Sequence, residues 1–234
     1  MVQMFDHRAA DVVIEEGNWA RQGQTRATTA VEHAHPHHLV TPRAWVKDVT
    51  VELQTHTATT HFLVYNDVTS PTNQRTMIAA CLPRAGVVNS APIVMTDCTV
   101  RKQLCLLANL NSFIWDDVVR QKVGNLHLNF FIVEQVPTLL PDRYDEPCPW
   151  SKGQGKTLEA WIAERVLKLT CTAEDMLPLA DACGFADGSL KAEYVLSTFK
   201  GIHDDNPLLS GHPSTAKFIM ELYDRYAKQM ASGE

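Results

Sequence analysis

The sequence has no long hydrophobic run and no excess of positive charge. No stretch reaches the roughly 18 uncharged apolar residues that a membrane-spanning helix needs, and the first eight residues carry charge where a signal peptide needs an apolar core. A net charge of −6 argues against a protein that coats nucleic acid without regard to sequence. We therefore expect a cytoplasmic protein that does not contact a membrane.

The cysteines lack the paired spacing of zinc and redox motifs. None of the six forms a Cys-x-x-Cys pair, and several fall at apolar positions of predicted helices. Thiols in such positions usually behave as small core residues. We expect reduced cysteines, as in cytosolic proteins.

A short glycine-rich pattern lacks the context of a phosphate-binding loop. Residues 153–157 read Gly-Gln-Gly-Lys-Thr, but the full pattern needs a glycine five positions before Gly155, where the chain has Trp150. A strand should also precede the loop, and a proline-containing segment precedes it instead. A linker that enters a helix N-terminus is the better interpretation.

A histidine run near the N-terminus has the alternation of a metal site, because imidazoles at alternating positions of an extended chain share one side. Pro36 and the polar surroundings favour a solvated run instead. We assign no metal to these histidines, which are His33, His35, His37 and His38.

The pattern of apolar residues predicts an α+β fold, with a β-rich module followed by a helical C-terminal region. Short β-branched or aromatic runs separated by turn residues predict strands over residues 45–51, 60–65, 75–82 and 91–95. The predicted organisation is an irregular N-terminal segment, a β-rich module that also contains helix, a proline-rich linker and a helical region, over residues 1–40, 41–137, 138–156 and 157–234.

Helices are expected where apolar residues recur at intervals of three and four residues. One run extends from Leu104 to Val119, with a break at residues 109–111, a cap at Asp97 or Thr99, and Gly124 as a left-handed C-terminal cap. After it, residues 130–137 are predicted to be a strand that ends at proline.

The helical region begins with an apolar stripe over residues 158–169. Thr172 and Asp175 have the spacing of a capping box for the next helix, which Gly184 would end. Further helices are predicted over residues 189–199 and 214–230.

Three polar turns carry side chains that match base edges, because arginine pairs with guanine and asparagine or glutamine with adenine. Turns at the ends of a rigid sheet can project such groups into a groove of DNA. The candidate DNA-binding residues are Asn73, Gln74 and Arg75 in the first turn, Arg84 and Asn89 in the second, Lys122, Asn125, His127 and Asn129 in the third, and Arg120 shortly before the third turn.

Several segments, in one order along nearly the whole chain, resemble a known enzyme class. Residues 72–83 read Thr-Asn-x-Arg-Thr-x-Ile-Ala-x-x-x-Pro, residues 110–113 read Leu-Asn-Ser-Phe, and residues 120–137 contain Gly-Asn-Leu-His-Leu-Asn-Phe-Phe. This order resembles the target-recognition region of type IIG-like restriction-modification N6-adenine DNA methyltransferases. Other similar segments lie at residues 1–10, 41–45, 165–173 and 194–226.

The resemblance implies a part that recognises double-stranded DNA while a catalytic domain, possessed by complete members before this region, transfers a methyl group from S-adenosylmethionine. This chain lacks the motifs of that domain. The nearest match to Asn-Pro-Pro-aromatic is residues 206–209, Asn-Pro-Leu-Leu, and no Gly-x-Gly follows a predicted strand. No lysine stands two positions after any Asp or Glu, so the common metal-dependent nuclease motif is also missing. We expect a chain that binds no cofactor, is inactive alone, and works with a separate catalytic subunit.

A protein-interaction module and a truncated remnant of such an enzyme remain as alternatives. The placement of four cations discriminates between DNA recognition and protein docking. A cluster on one face favours DNA, and dispersal favours protein docking; the four are Arg75, Arg84, Arg120 and Lys122.

Overall fold

The computed structural model describes residues 2–13, 24–42, 45–55, 59–124, 126–151, 153 and 155–184. The predicted helices over residues 189–199 and 214–230, the Asn-Pro-Leu-Leu segment and the candidate Asn125 lie outside these residues. Helices and antiparallel strands both occur, which confirms the α+β class. None of the helices in these ranges combines the length and apolar character required to cross a membrane.

The elements of secondary structure follow one another in this order. The strands are β1 (Ala10–Val12), β2 (Thr25–Ala27), β3 (His61–Tyr65), β4 (Ala79–Pro83) and β5 (Ile93–Val94). The helices are α1 (Ala30–Ala34), α2 (Asp48–Thr55), α3 (Val100–Leu110), α4 (Phe113–Lys122), α5 (Phe130–Val133), α6 (Leu158–Thr170) and α7 (Leu177–Ala182). Short 3₁₀ helices span Pro141–Asp145 and Glu174–Met176.

The central sheet has three antiparallel strands in the order β4-β3-β5. In its register, Leu63 lies opposite Cys81 of β4 and Val94 of β5. All five residues of β3 are buried, because successive side chains point to opposite faces and both faces are covered. The strands predicted over residues 60–65, 75–82 and 91–95 are confirmed in place, although each is shorter than predicted.

The main hydrophobic core lies between one face of this sheet and helices α3 and α6. It joins Leu63 of β3 and Leu104 of α3 to Leu167 of α6 and Leu179 of α7. Full burial of such a side chain contributes about 1.5 to 3 kcal/mol. Because this core contains residues from both sides of the predicted linker, residues 138–156 do not separate two cores.

The break predicted between two helices is confirmed at the end of α3. Ser112 accepts a hydrogen bond from the Trp115 amide and caps α4. Beside it, the Asn111 side chain donates to the Ala79 carbonyl at 2.9 Å and accepts from the Ala79 amide at 3.0 Å. The helix junction is therefore joined directly to the first residue of β4.

Of residues 45–51, predicted to be a strand, residues 45–47 have no regular secondary structure and residues 48–51 belong to α2. Helix α2 begins at Asp48, where a carboxylate suits the positive end of the helix dipole. It buries only Val51, which packs on the second face of the sheet with Phe62 and Leu82. A short apolar run does not distinguish helix from strand, and here packing onto the sheet selected helix.

The segment after Asn129 also differs from the prediction. Instead of a strand, residues Phe130–Val133 form the one-turn helix α5. This turn buries Ile132, and Val136 four positions later is buried as well, a spacing that suits a helical turn. The left-handed cap at Gly124 is also wrong, since α4 ends at Lys122 with Val123, at φ −79°, as its cap. The left-handed Gly184 after α7, at φ +73°, is confirmed.

The first 40 residues are more regular than predicted. Strands β1 and β2 pair as an antiparallel hairpin, and Thr29 with Glu32 forms a complete capping box on α1. The fully buried Arg8 joins this region together. Its guanidinium donates to the carbonyls of His33 and His35, at 2.9 and 3.1 Å, and to the Thr172 hydroxyl at 3.0 Å.

The predicted capping box of Thr172 and Asp175 does not form. The Thr172 hydroxyl donates to Asp6, and Asp175 contacts His7 Nε2 at 2.9 Å. Both side chains therefore hold the N-terminal segment, while the 3₁₀ helix that follows Ala173 has no side-chain cap. Burial by itself raises the pKa of Asp6. The hydrogen bond with His33 and the charges of Arg8 and His7 together lower this pKa by more than burial raises it, so the carboxyl has a pKa well below its usual range.

Candidate nucleic-acid interface

Three loops converge at the end of the sheet where β3 finishes. We call residues 66–78 the first loop, residues 84–92 the second loop and residues 123–129 the third loop. Asp67, two residues after β3, joins them through its backbone. Its amide donates to the Ser90 carbonyl of the second loop at 3.1 Å, and its carbonyl accepts from the Leu128 amide of the third loop at 2.7 Å.

The side chain of Asp67 strengthens this junction. Its carboxylate lies 2.7 Å from Nδ1 of His127, which is more than half exposed. Next to this contact, Val68 pairs with His127 as an isolated antiparallel bridge, and the Thr69 amide donates to the Leu126 carbonyl. The contact with Asp67 occupies one ring nitrogen, so His127 retains Nε2 for a ligand.

Arg120 of α4 holds the first loop from behind. Its guanidinium donates to the carbonyls of Pro71 and Asn73, each at 2.6 Å, and to that of Gln74 at 3.0 Å. It also donates to the Asp116 carboxylate at 2.8 Å. A planar guanidinium with five N–H donors suits this arrangement because it can serve several carbonyls at once.

The buried Asp116 connects the loop to α4. One carboxylate oxygen accepts from the amides of Thr76 and Met77, at 2.8 and 2.7 Å, and the other accepts from Arg120. Three donors therefore satisfy a carboxylate that has little access to water. The loop conformation depends on a residue that the sequence reasoning did not select, although its spacing of four from Arg120 on a helix was a usable signal.

Arg75 lies in the interior and not on the loop surface. Its side chain is 6% exposed and donates to the Asn111 and Ser112 carbonyls, while its guanidinium lies 5.0 Å from the centre of the Phe113 ring. Burial lowers the pKa of Arg75, and the nearby charge of Asp116 opposes this shift. In this conformation Arg75 supports the loop and does not reach a base edge.

Arg84 lies at the other end of the sheet. Its amide donates to the Thr60 carbonyl, next to the start of β3. Its side chain contacts Asp48 and Glu52 of α2, at 3.3 and 3.4 Å. The four cations chosen from the sequence are therefore dispersed, since Arg84 is apart and Arg75 is enclosed. By the criterion stated for these four residues, this placement favours protein docking, so DNA recognition depends on the other side chains of the loops.

The remaining candidates lie in the joined loops, except Lys122, which is the last residue of α4. In the part of the chain that the structure describes, their side-chain nitrogen and oxygen atoms have no hydrogen-bond or ion-pair partner apart from the single contact of His127. Asn129 stands at the N-cap of α5 without making a side-chain capping bond. The exposed candidates are Asn73, Gln74, Asn89, Lys122, His127 and Asn129.

A shallow depression separates the first loop from the third. It is lined by Ser70 and Pro71 on one side and by Gly124, Leu126 and His127 on the other. Exposed apolar side chains continue the same surface, because Leu126 and Phe130 are each about two-thirds exposed. The three loops therefore carry free amides and one imidazole together with exposed apolar side chains, and Lys122 ends the helix that precedes the third loop.

The histidine run does not converge on a metal site. His33 contacts Asp6, His37 contacts Glu174 and His38 lies near Asp11, so the rings are directed to separate carboxylates. Within the described ranges no group of three His, Cys, Asp or Glu side chains is arranged to hold a metal ion.

The glycine-rich pattern is a linker that enters a helix, as interpreted from the sequence. Thr157 caps α6 by accepting from the Ala160 amide. Lys156 pairs with Glu164 at 2.8 Å. A lysine committed to a carboxylate in this way is not aimed at a phosphate group.

Comparison with protein-family models, with curated proteins and with solved structures found no match to this chain.

Proposed function

We propose that this chain is the DNA target-recognition and helical C-terminal part of an adenine-specific methyltransferase or restriction-modification protein. On this proposal it binds duplex DNA and orients it, while a catalytic domain outside this chain flips the adenine and methylates it with S-adenosylmethionine. The motif order described above suggests the class. The convergence of the three loops is the structural observation that supports it.

The loop surface has the composition that DNA recognition needs. Phosphate contacts position a duplex, and polar side chains at the ends of a rigid sheet read the bases. Lys122, at the end of α4, has no acidic partner among the described residues and is suited to a phosphate. The first loop is held by buried contacts of Asp116 and Arg75, so its exposed side chains start from a defined backbone.

A titration against random-sequence duplex DNA at several salt concentrations tests this function. Binding through phosphates releases counterions, so the logarithm of affinity should fall linearly with the logarithm of salt concentration. Lys122→Gln should reduce that slope by about 1. Lys47→Gln, an exposed lysine before α2 at the Arg84 end of the sheet, is the matched control and should leave the slope unchanged. A slope of zero for the unaltered chain would overturn the proposal.

Protein docking is a second candidate because large apolar side chains are exposed beside the loops. Phe130 and Phe131 of α5 are 67% and 52% exposed, and exposed apolar patches often mark protein interfaces. In the same titration, this candidate predicts a slope of zero that Lys122→Gln does not change.

A further inference from the structure

The two arginines of the three loops, and Arg120 of the adjoining helix α4, are all committed to contacts within the chain. Arg75 is buried against the Asn111 and Ser112 carbonyls, and Arg120 spans three carbonyls of the first loop. Arg84 pairs with two carboxylates of α2. Each guanidinium would have to give up formed hydrogen bonds or ion pairs before it could contact a base.

Four side-chain amides of the same loops are in the opposite state, whereas the amide of Asn66 is bound to the backbone of Val2. The backbone carbonyls of Asn73 and Gln74 accept hydrogen bonds from Arg120, and these bonds fix the conformation of the loop. The side-chain amides of the same two residues are exposed and make no hydrogen bond in the described structure. Asn89 of the second loop and Asn129 of the third are likewise exposed without a side-chain partner. The commitment of the arginines thus leaves these four amides, Nε2 of His127 and the ammonium group of Lys122 as the groups available for recognition.

We propose that this surface reads adenines of A·T pairs in the major groove through its amides, and that Arg120 is a positioning residue and not a guanine reader. This inference rests on the proposed function and names its sequence class. It concerns the base pairs that the loops contact, which are distinct from the adenine that is methylated.

The chemistry of the base edges supports the choice of adenine. In the major groove adenine presents an N7 acceptor beside an N6 donor, and an amide matches both because it carries one donor group and one acceptor. Guanine presents two acceptors, N7 and O6, which match the paired donors of a guanidinium. Lys122 is a compact charge on a flexible stem, so it suits a phosphate better than a bidentate base contact.

Selection of tight-binding duplexes from a random-sequence library by the full chain tests this inference. We expect A·T pairs to be enriched at the selected positions. Asn73→Ala and Gln74→Ala should each reduce the preference at one position about tenfold, with the salt slope unchanged. Gln54→Ala, which removes an exposed amide of α2 at the other end of the sheet, is the matched control and should retain the full preference.

Gln74→Glu gives a readout that loss of folding cannot imitate. A carboxylate only accepts hydrogen bonds and therefore matches the N4 donor of cytosine. The position read by Gln74 should change its preference from A·T to C·G in this variant. Arg120→Lys should weaken discrimination at the positions read by Asn73 and Gln74 together, because it loosens the loop that carries both.

The outcomes separate this inference from the function on which it rests. Binding that depends on salt but selects G·C pairs, or that is unchanged by the amide substitutions, overturns the amide inference and leaves DNA recognition standing. Absence of salt-dependent binding overturns the proposed function itself. Circular dichroism of each variant, compared with that of the unaltered chain, identifies any substitution that prevents folding, and Gln74→Glu then decides the question.

Discussion

Asp116 and Arg120, one turn apart on α4, form a 2.8 Å ion pair that holds the first loop from two sides. Arg120 donates to the loop carbonyls of Pro71, Asn73 and Gln74. Asp116 accepts from the amides of Thr76 and Met77. The pair thus satisfies backbone groups on both sides of the turn. The conformation of a predicted recognition loop is therefore set by a helix about 40 residues further along the chain.

Removal of the buried carboxylate should destabilise the fold. We expect Asp116→Ala to lower the free energy of unfolding by about 3 to 5 kcal/mol, because it leaves two buried amides without an acceptor and removes the carboxylate partner of the Arg120 guanidinium. Urea unfolding measures this change. The control Asp117→Ala removes an exposed carboxylate that contacts Gln121 and should cost less than about 0.5 kcal/mol. Equal losses in both variants would contradict the role given to Asp116.

Arg120→Lys tests the guanidinium as a positioning group. Lysine keeps the charge but cannot serve three carbonyls and a carboxylate in one plane. We expect hydrogen exchange of the backbone amides of residues 72–74 to accelerate at least about fivefold. Arg143→Lys, at an exposed arginine that pairs with Glu146, should not change exchange in this loop. Unchanged hydrogen exchange in Arg120→Lys would show that the first loop keeps its conformation without the Arg120 guanidinium.

Burial of the cysteines predicts their reactivity. Burial raises the pKa values of Cys81, Cys105 and Cys171 to about 12, so little thiolate forms near neutral pH. In the folded protein at pH 8, iodoacetamide should label the partly exposed Cys98 well before these three. All six should react in denaturant. Rapid labelling of Cys81 in the folded state would be inconsistent with its position in the sheet.

The stability of the protein should fall in mildly acidic solution through His61. Burial lowers the pKa of His61, while its hydrogen bond with Gln103 opposes the shift. The pKa of His61 is lower in the folded protein than in the unfolded chain, where it has the ordinary histidine value of about 6.5. As the pH falls below 6.5, the unfolded chain therefore binds a proton before the folded protein does. The contribution of this group to stability is therefore present above pH 6.5 and is lost on acidification, by at most about 1.4 kcal/mol per pH unit.

Urea unfolding between pH 7 and 5 measures this effect. His61→Gln removes the titrating group, so its free energy of unfolding should depend less steeply on pH than that of the unaltered chain. His35→Gln, at an exposed histidine without an ion-pair partner among the described residues, is the control. If His61→Gln and the unaltered chain have parallel pH profiles, then His61 does not bind protons differently in the two states.

Features that depend on neighbouring residues were predictable from the sequence. The α3–α4 break, the cap at Thr99, which was one of two candidates, and the left-handed Gly184 are confirmed. The Ser112 cap was not predicted, although it also depends on residues within one turn. Strands β3, β4 and β5 were placed correctly because β-branched runs between turn residues persist in the fold. Such signals act over a few residues, so no distant partner was needed to recognise them.

Tertiary contacts decided what local patterns left ambiguous. Residues 48–55 became helical because Val51 packs on a sheet formed by later strands. Arg75 and Asn73 belong to the same polar turn. Asn73 is exposed, whereas Arg75 is buried and donates to the Asn111 carbonyl. A buried guanidinium needs carbonyl or carboxylate partners, and here those partners lie some 35 to 40 residues away in sequence. The sequence was therefore enough to select candidate side chains. The packing of α4 against the first loop then decided which of these side chains, such as Arg75, are buried supports and which, such as Asn73, face solvent.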